Sequence, residues 1–198
     1  SSVEGKTPFV QLLEAVAQVE GIERVRFISP HPVGYKQDLI DAFGYIPQLV
    51  EHVHFPLQSG SDKILRAMRR PYKVAKFEEL VGRMREVCPN IAISTDIIVG
   101  FPGEGEEEYT ETRDLCERVR FDNAFIFRYS KRRGTPAAQI DESLQLSERV
   151  KEERNQDLLK VIDRIGSEKN HSLIGTQQEV LCEGPSKRRD DRLSGRTR

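Results

Sequence analysis

The chain has 198 residues, 37% apolar and 32% charged, a globular composition with room for one full domain and part of another. No apolar run approaches the ~18 residues that cross a bilayer, and the N-terminus lacks the basic-then-apolar layout of a secretory leader. A cytoplasmic protein with no membrane partner is therefore expected. The net charge of −1 excludes a uniformly basic nucleic-acid binder, but the charge is uneven. Lys187, Arg188, Arg189, Arg192, Arg196 and Arg198 stand against Asp190 and Asp191 in the last fourteen residues, a net +4 that leaves −5 for residues 1–184. Such a tail suits phosphate, or is a solvated loop.

In chain order, an apolar stripe at Phe9, Leu12, Leu13 and Val16 predicts a helix over Pro8–Val19. Arg24–Ser29, rich in Val, Ile and Phe, predicts a strand, and Asp38–Phe43 a short helix. His52–Leu57 predicts a second strand, followed by a short helix at Asp62–Met68. Phe77, Leu80, Val81, Met84 and Val87 mark a further helix before a third strand at Ile91–Phe101. Tyr109, Thr112, Leu115, Cys116 and Val119 mark the next helix, before a fourth strand at Ala124–Ser130. The strand starts lie 28 to 39 residues apart, the length of a βα unit, so the sheet should be parallel.

After Gly134-Thr135-Pro136 the rhythm changes. Ser147 can cap a long charged helix from Glu148 to about Leu173, which Gly175 ends. Gln178–Glu183 then reads as a strand, and Gly184-Pro185-Ser186 as the turn into the basic tail. These features divide the chain into residues 1–174, a βα domain with its long helix, and residues 175–198, the start of a small β domain. Four βα units do not close a barrel. The first helix has no strand before it, and the chain starts at Ser1, so both ends look cut and the fold is expected to be part of a larger barrel.

Ligands of parallel βα folds sit beyond the carboxyl ends of the strands. The residues there are small, polar, Gly or Pro: Ser29-Pro30-His31-Pro32, Gln58-Ser59-Gly60-Ser61, Gly100-Phe101-Pro102-Gly103-Glu104 and Ser130-Lys131-Arg132-Arg133. His31, between prolines, is a candidate substrate contact. His52 and His54 share a strand face at a spacing that can bind metal, but no third ligand accompanies them, and packing is the simpler reading. Glu104 and Glu106–Glu108 fit a helix start, where the dipole favours acids. Cys88, Cys116 and Cys182 are odd in number, widely spaced and outside any CxxC pattern, so they read as idle thiols. No catalytic residue and no metal ligand is assigned within the chain.

Taken together, SPHP (29–32), HFPLQSGSDKILRAMRRPY (54–72), STDIIVGFPGEGEEE (94–108), YSKRRGTPAA (129–138) and EGPSKRRDDRLSGRTR (183–198) resemble the radical-SAM methylthiotransferases. The last string is most similar to the branch that acts on isopentenyl-adenosine beside the tRNA anticodon. Sister branches act on threonylcarbamoyl-adenosine in tRNA or on a ribosomal-protein aspartate. The resemblance implies an α/β fold: the last four of six strands of a partial parallel (β/α) barrel, a long helix, and the first part of a TRAM-like all-β RNA-binding domain. It implies S-adenosyl-L-methionine (SAM) and two 4Fe–4S clusters as cofactors, and tRNA as partner.

The CxxxCxxC cluster loop of that family is absent, so the chain alone is expected not to catalyse. By the same resemblance Gln58 and Ser59 face the ribose and methionine of SAM. Thr95, Asp96, Ile98 and Gly100 line its adenine and ribose, and Phe127 and Tyr129 hold the adenine edge. Arg132, Arg133, Lys187, Arg188 and Arg196 would meet the RNA backbone. A self-standing βα enzyme and a non-catalytic RNA-binding remnant are the competing readings. The first needs a strand-end Lys or paired acids, whereas Asp96 lies mid-strand without a carboxylate partner and Lys131 stands among arginines.

Overall fold

The structure, a computed structural model, describes residues 5–28 and 32–198. Its centre is a parallel sheet of β1 (His52–His54), β2 (Ala92–Val99) and β3 (Asn123–Arg128), in that spatial order. The register pairs His54 with Ser94, Ser94 with Asn123 and Asp96 with Phe125. Helices α4 (Val74–Val87) and α5 (Glu106–Val119) are the crossovers, preceded by α1 (Pro8–Ala17), α2 (Gln37–Tyr45) and α3 (Asp62–Ala67). The 25-residue α6 (Glu148–Ser172) follows, and an antiparallel hairpin, β4 (Val180–Pro185) and β5 (Leu193–Thr197), ends the chain.

One face of the sheet is covered. Val53, Phe55, Ile93, Ile97 and Val99 are almost fully buried against Phe77, Met84, Leu115, Leu158 and Ile165 from the helices. Edge-on and tilted ring contacts run through this layer from Tyr35 to Phe55, Phe77 and Phe121. The opposite face carries His52, His54, Ser94, Asp96, Ile98, Phe125 and Phe127 and is open, with Phe125 51% and Phe127 53% exposed. Period-two alternation in the strands produces both faces.

Three of the four strands expected for the parallel sheet form, and the expected strand at Gln178–Glu183 forms as β4. Arg24–Ser29 does not: among its described residues only Val25 pairs, with Leu49 as an isolated parallel bridge. There Val25 N–H donates to Gln48 O and Val50 N–H donates to Val25 O. Phe27 then turns to pack edge-on against Phe9, 5.1 Å between ring centres, which takes the segment off the ladder.

The α1 stripe is also rotated from the expected one. Val10, Leu13 and Ala17 are buried while Leu12 is exposed, and the helix ends at Ala17 instead of Val19. The expected turn at Gly184-Pro185 is instead the end of β4, where a register shift between Cys182 and Gly184 admits Pro185. The long helix starts as expected, with Ser147 Oγ accepting from the Val150 N–H at 3.4 Å.

Leu158 has no exposed surface between α6 and the sheet. Leu158→Ala is therefore expected to lower unfolding free energy by about 3 kcal/mol, read from a urea midpoint. Ile28, Phe125 and Phe127 leave a large apolar area uncovered, so the chain should self-associate as its concentration rises. A concentration-independent monomer mass by light scattering would contradict this.

Candidate functional site

The carboxyl ends of β1, β2 and β3 meet at one rim. After β1 the chain crosses back to β2 through Gln58, whose N–H donates to Asp96 O at 2.7 Å and whose carbonyl accepts from Ile98 N–H at 2.9 Å. Gln58 makes both hydrogen bonds with φ +71°, a left-handed backbone rare outside glycine. Ser59 is fully buried, its Oγ 3.3 Å from Thr112 Oγ1 and accepting from Ser61 N–H. Gly60 touches α5 so closely that a Cβ would lie 2.4 Å from Thr112 Cα.

Thr95 points to the helix side. Its hydroxyl donates to Phe55 O at 2.6 Å and accepts from Leu57 N–H at 3.0 Å. Ser59 and Thr95 thus hold the turn that presents Gln58, whereas Asp96 and Ile98 lie on the open face.

After β2, Gly100 takes φ +74° directly beneath Lys151 of α6. Its N–H donates to Glu104 Oε1 at 2.8 Å, and the same oxygen accepts from Arg154 Nη1 at 2.7 Å. Glu104 and Arg154 are 3% and 7% exposed, so this is a buried clasp between the strand-end loop and α6. Burial raises the Glu104 carboxyl above its ordinary range, against the lowering pull of the Gly100 N–H and Arg154. Lys151 covers the Tyr129 ring at 5.6 Å, and Phe101 stacks edge-on against it at 5.1 Å. The buried Tyr129 hydroxyl has no partner among the described residues, an orphan at the end of β3 that a bound ligand could satisfy.

Arg132, Arg133, Lys187, Arg188 and Arg196 are all exposed. Of these five, Arg196 is ion-paired, to Glu183 at 3.2 Å. The hairpin is tied to the amino ends of the strands, away from the rim: Arg24 binds Glu179 and the Arg196 carbonyl, and Arg198 binds Glu51. The structure therefore divides the expected RNA contacts into Arg132 and Arg133 near the rim and a hairpin group at the opposite end. His31 lies outside the described residues.

Two groups were not assigned from sequence. The first is the Lys151–Arg154–Asn155 patch of α6, buried although charged or polar; Asn155 Nδ2 donates to Ile126 O on the outer edge of β3. The second is a continuous polar chain on the open face. His52 Nε2 lies 3.1 Å from Ser94 Oγ, Ser94 Oγ 3.0 Å from His54 Nδ1, and His54 Nε2 3.1 Å from Asp96 Oδ2. The HxH spacing signals the pair, but only the strand register supplies Ser94 and Asp96.

Among the described residues no three metal-ligating side chains stand together. Cys88 and Cys116 are buried and Cys182 is exposed. Burial raises both buried thiols, Cys116 to about 12. The residues present thus do not fit an iron–sulfur cluster, whose thiolates must share one site.

Comparison with known proteins agrees with this geometry. Residues 4–116 match the family model described as the Radical SAM superfamily. Coproporphyrinogen III oxidase from Escherichia coli, described as a radical SAM enzyme, superposes with TM-score 0.57 at 17% identity, over 69% of this chain and 31% of that one. The chain is 61% identical over 193 residues to a tRNA-2-methylthio-N(6)-dimethylallyladenosine synthase of Akkermansia muciniphila, covering 98% of this chain and 42% of that protein. Proteins of the same name from Methylacidiphilum infernorum and Opitutus terrae are 56% and 50% identical, again with 42% and 40% of their length covered. The chain spans about two fifths of these relatives.

The clasp yields a test. The folded protein keeps on Glu104 a proton that the unfolded chain loses at the ordinary glutamate value, so this group's contribution falls as pH rises through that window. Glu104→Gln should remove that slope from unfolding free energies measured between about pH 4 and 8. Arg154→Met, which strands a buried carboxylate, should cost about 3 kcal/mol near neutral pH.

With a parallel sheet clasped at its carboxyl rim by a long helix, and a family match over more than half of its length, the chain belongs to the radical SAM superfamily.

Proposed function

We propose that this chain is the SAM- and RNA-facing part of a tRNA methylthiotransferase that modifies C2 of the adenine in isopentenyl-adenosine beside the anticodon. The observation that carries the reading is that relatives bearing this one activity in their names match 98–99% of the chain at 50–61% identity. In this reading residues 1–174 form the end of the partial barrel with its long helix, and residues 175–198 begin a TRAM-like RNA-binding domain.

When bound, SAM and its 4Fe–4S cluster supply a radical able to take hydrogen from an unreactive carbon. The chain's own residues bind and orient. Gln58 and Gly100, both buried, shape the rim, Ile98 adds a half-buried apolar edge, Phe127 an open aromatic face, and Tyr129 a hydroxyl without a partner among the described residues. Ser59 and Thr95 support that rim from beneath. Exposed Arg132 and Arg133, with Lys187, Arg188 and Arg196 on the hairpin, would neutralise phosphates. The three dispersed cysteines support the companion proposal that both clusters are held by residues other than these, and that the chain alone does not turn over.

The intact, cluster-loaded protein is expected to convert isopentenyl-adenosine in tRNA to its 2-methylthio form, read by mass spectrometry of digested nucleosides. A product on threonylcarbamoyl-adenosine would move it to a sister branch, and RNA binding without any product would leave a non-catalytic RNA-binding remnant. Gln58→Ala should weaken SAM binding about tenfold, the value of one lost charge-free contact at a strained turn. Unchanged affinity would remove Gln58 from the site.

A further inference from the structure

One hydrogen arrangement of the polar chain on the open face directs its donors toward Asp96, the Ser94 hydroxyl having Val53 O at 3.4 Å as its other acceptor. With Asp96 as carboxylate, the oxygen facing His54 can only accept, so His54 carries its proton on Nε2. His54 Nδ1 is then an acceptor and takes the Ser94 hydroxyl hydrogen. The Ser94 oxygen in turn accepts from His52 Nε2–H, which leaves His52 Nδ1 as a buried acceptor with no partner. Burial, then the nearby Arg26 and His54, keep His52 toward its neutral form, with Asp122 pulling the other way. Ser94 itself is 6% exposed, too enclosed to act as a nucleophile.

Every donor in the chain thus points toward Asp96, whose second oxygen has no hydrogen-bond partner among the described residues. Phe125 is the cross-strand neighbour of Asp96 on β3, and its half-exposed ring stands 6.2 Å from that of His54. Arg26, Phe27, Ile28 and Asn123 complete the walls of a cavity of about 490 Å³. The cavity lies one pleat deeper in the sheet than Ile98 and Phe127 at the rim.

We propose that His52, Ser94 and His54 are positioning residues that lock Asp96 as the acceptor for an N–H of the target nucleobase, which stacks on Phe125. This inference rests on the RNA-modifying reading above and gives Asp96 to the base rather than to SAM. A flat heterocycle with an exocyclic N–H matches an aromatic face beside a fixed carboxylate. The carboxylate would reject a base that presents only acceptors at that point.

The test uses the intact, cluster-loaded protein, a tRNA anticodon stem-loop carrying isopentenyl-adenosine, and SAM. Asp96→Asn and His54→Gln should weaken stem-loop binding about tenfold or more, as expected for one charged hydrogen bond, with SAM affinity unchanged. Phe125→Leu should weaken it by a similar factor through lost stacking. In ¹⁵N NMR spectra of the four histidines, His52 and His54 should both report the Nε2–H tautomer, and Ser94→Ala should shift both resonances.

If Asp96→Asn weakens SAM binding and spares RNA, the carboxylate belongs to the cofactor and the inference is overturned. If the unsubstituted protein binds the stem-loop and all three variants bind it equally well, the inference fails while the methylthiotransferase reading stands. If the unsubstituted protein has no affinity for the stem-loop, both fall. Asp96→Glu, which keeps the charge but moves it, should restore less than half of the lost binding if fixed placement is what matters.

Discussion

The middle strand of the sheet sets every other relation. β2 has a parallel partner on each side, so its register is fixed twice, and each of its residues is committed to one of two faces. Ile93, Ile97 and Val99 go to the helices and Ser94, Asp96 and Ile98 to the open side. A slip of one residue would bury Asp96 and expose Ile97. That cost, several kcal/mol for an unpaired buried carboxylate, holds the polar chain and the rim in a single alignment.

α6 is the second constraint. A helix of 25 residues with this many charges reads as a solvated rod, yet Lys151, Arg154 and Asn155 are among its buried residues. They do three different things within about one and a half turns: Lys151 covers Gly100 and Tyr129, Arg154 binds Glu104, and Asn155 donates to Ile126 O on the free edge of β3. One backbone acceptor of the edge strand is thereby occupied. The loop after β2 cannot relax without stranding a charge.

Much of this was legible beforehand, and for identifiable reasons. The stripes of α4 and α5 and the cap at Ser147 follow from local spacing alone, and they stand in the structure as the spacing implies. The strands at 92–99 and 123–128 were visible from their β-branched and aromatic content. Where two apolar sets interleave, as at Phe9-Val10 and Leu12-Leu13, docking against Phe27 and α2 decides between them, and local pattern does not. Arg24–Ser29 has strand composition, but a ladder needs a partner along its length, and only Val25 has one. The clasp and the His52–Ser94–His54–Asp96 chain join residues 40 to 50 positions apart, so they depend on register and helix placement that no local signal carries.

The hairpin is attached on different terms from α6. Its ties to the rest of the chain include two ion pairs, Arg24 to Glu179 and Arg198 to Glu51, in which Arg24 is nearly buried and Glu179 is 70% exposed. Pairs of this kind contribute at most about 1 kcal/mol and are screened within ~8 Å at physiological ionic strength. Polyanions compete directly for the same guanidinium groups. The attachment of the arm is therefore salt-sensitive: screening weakens the Arg24–Glu179 and Arg198–Glu51 pairs, while the hydrogen bonds from the same guanidinium groups to the Arg196 and Pro47 carbonyls remain.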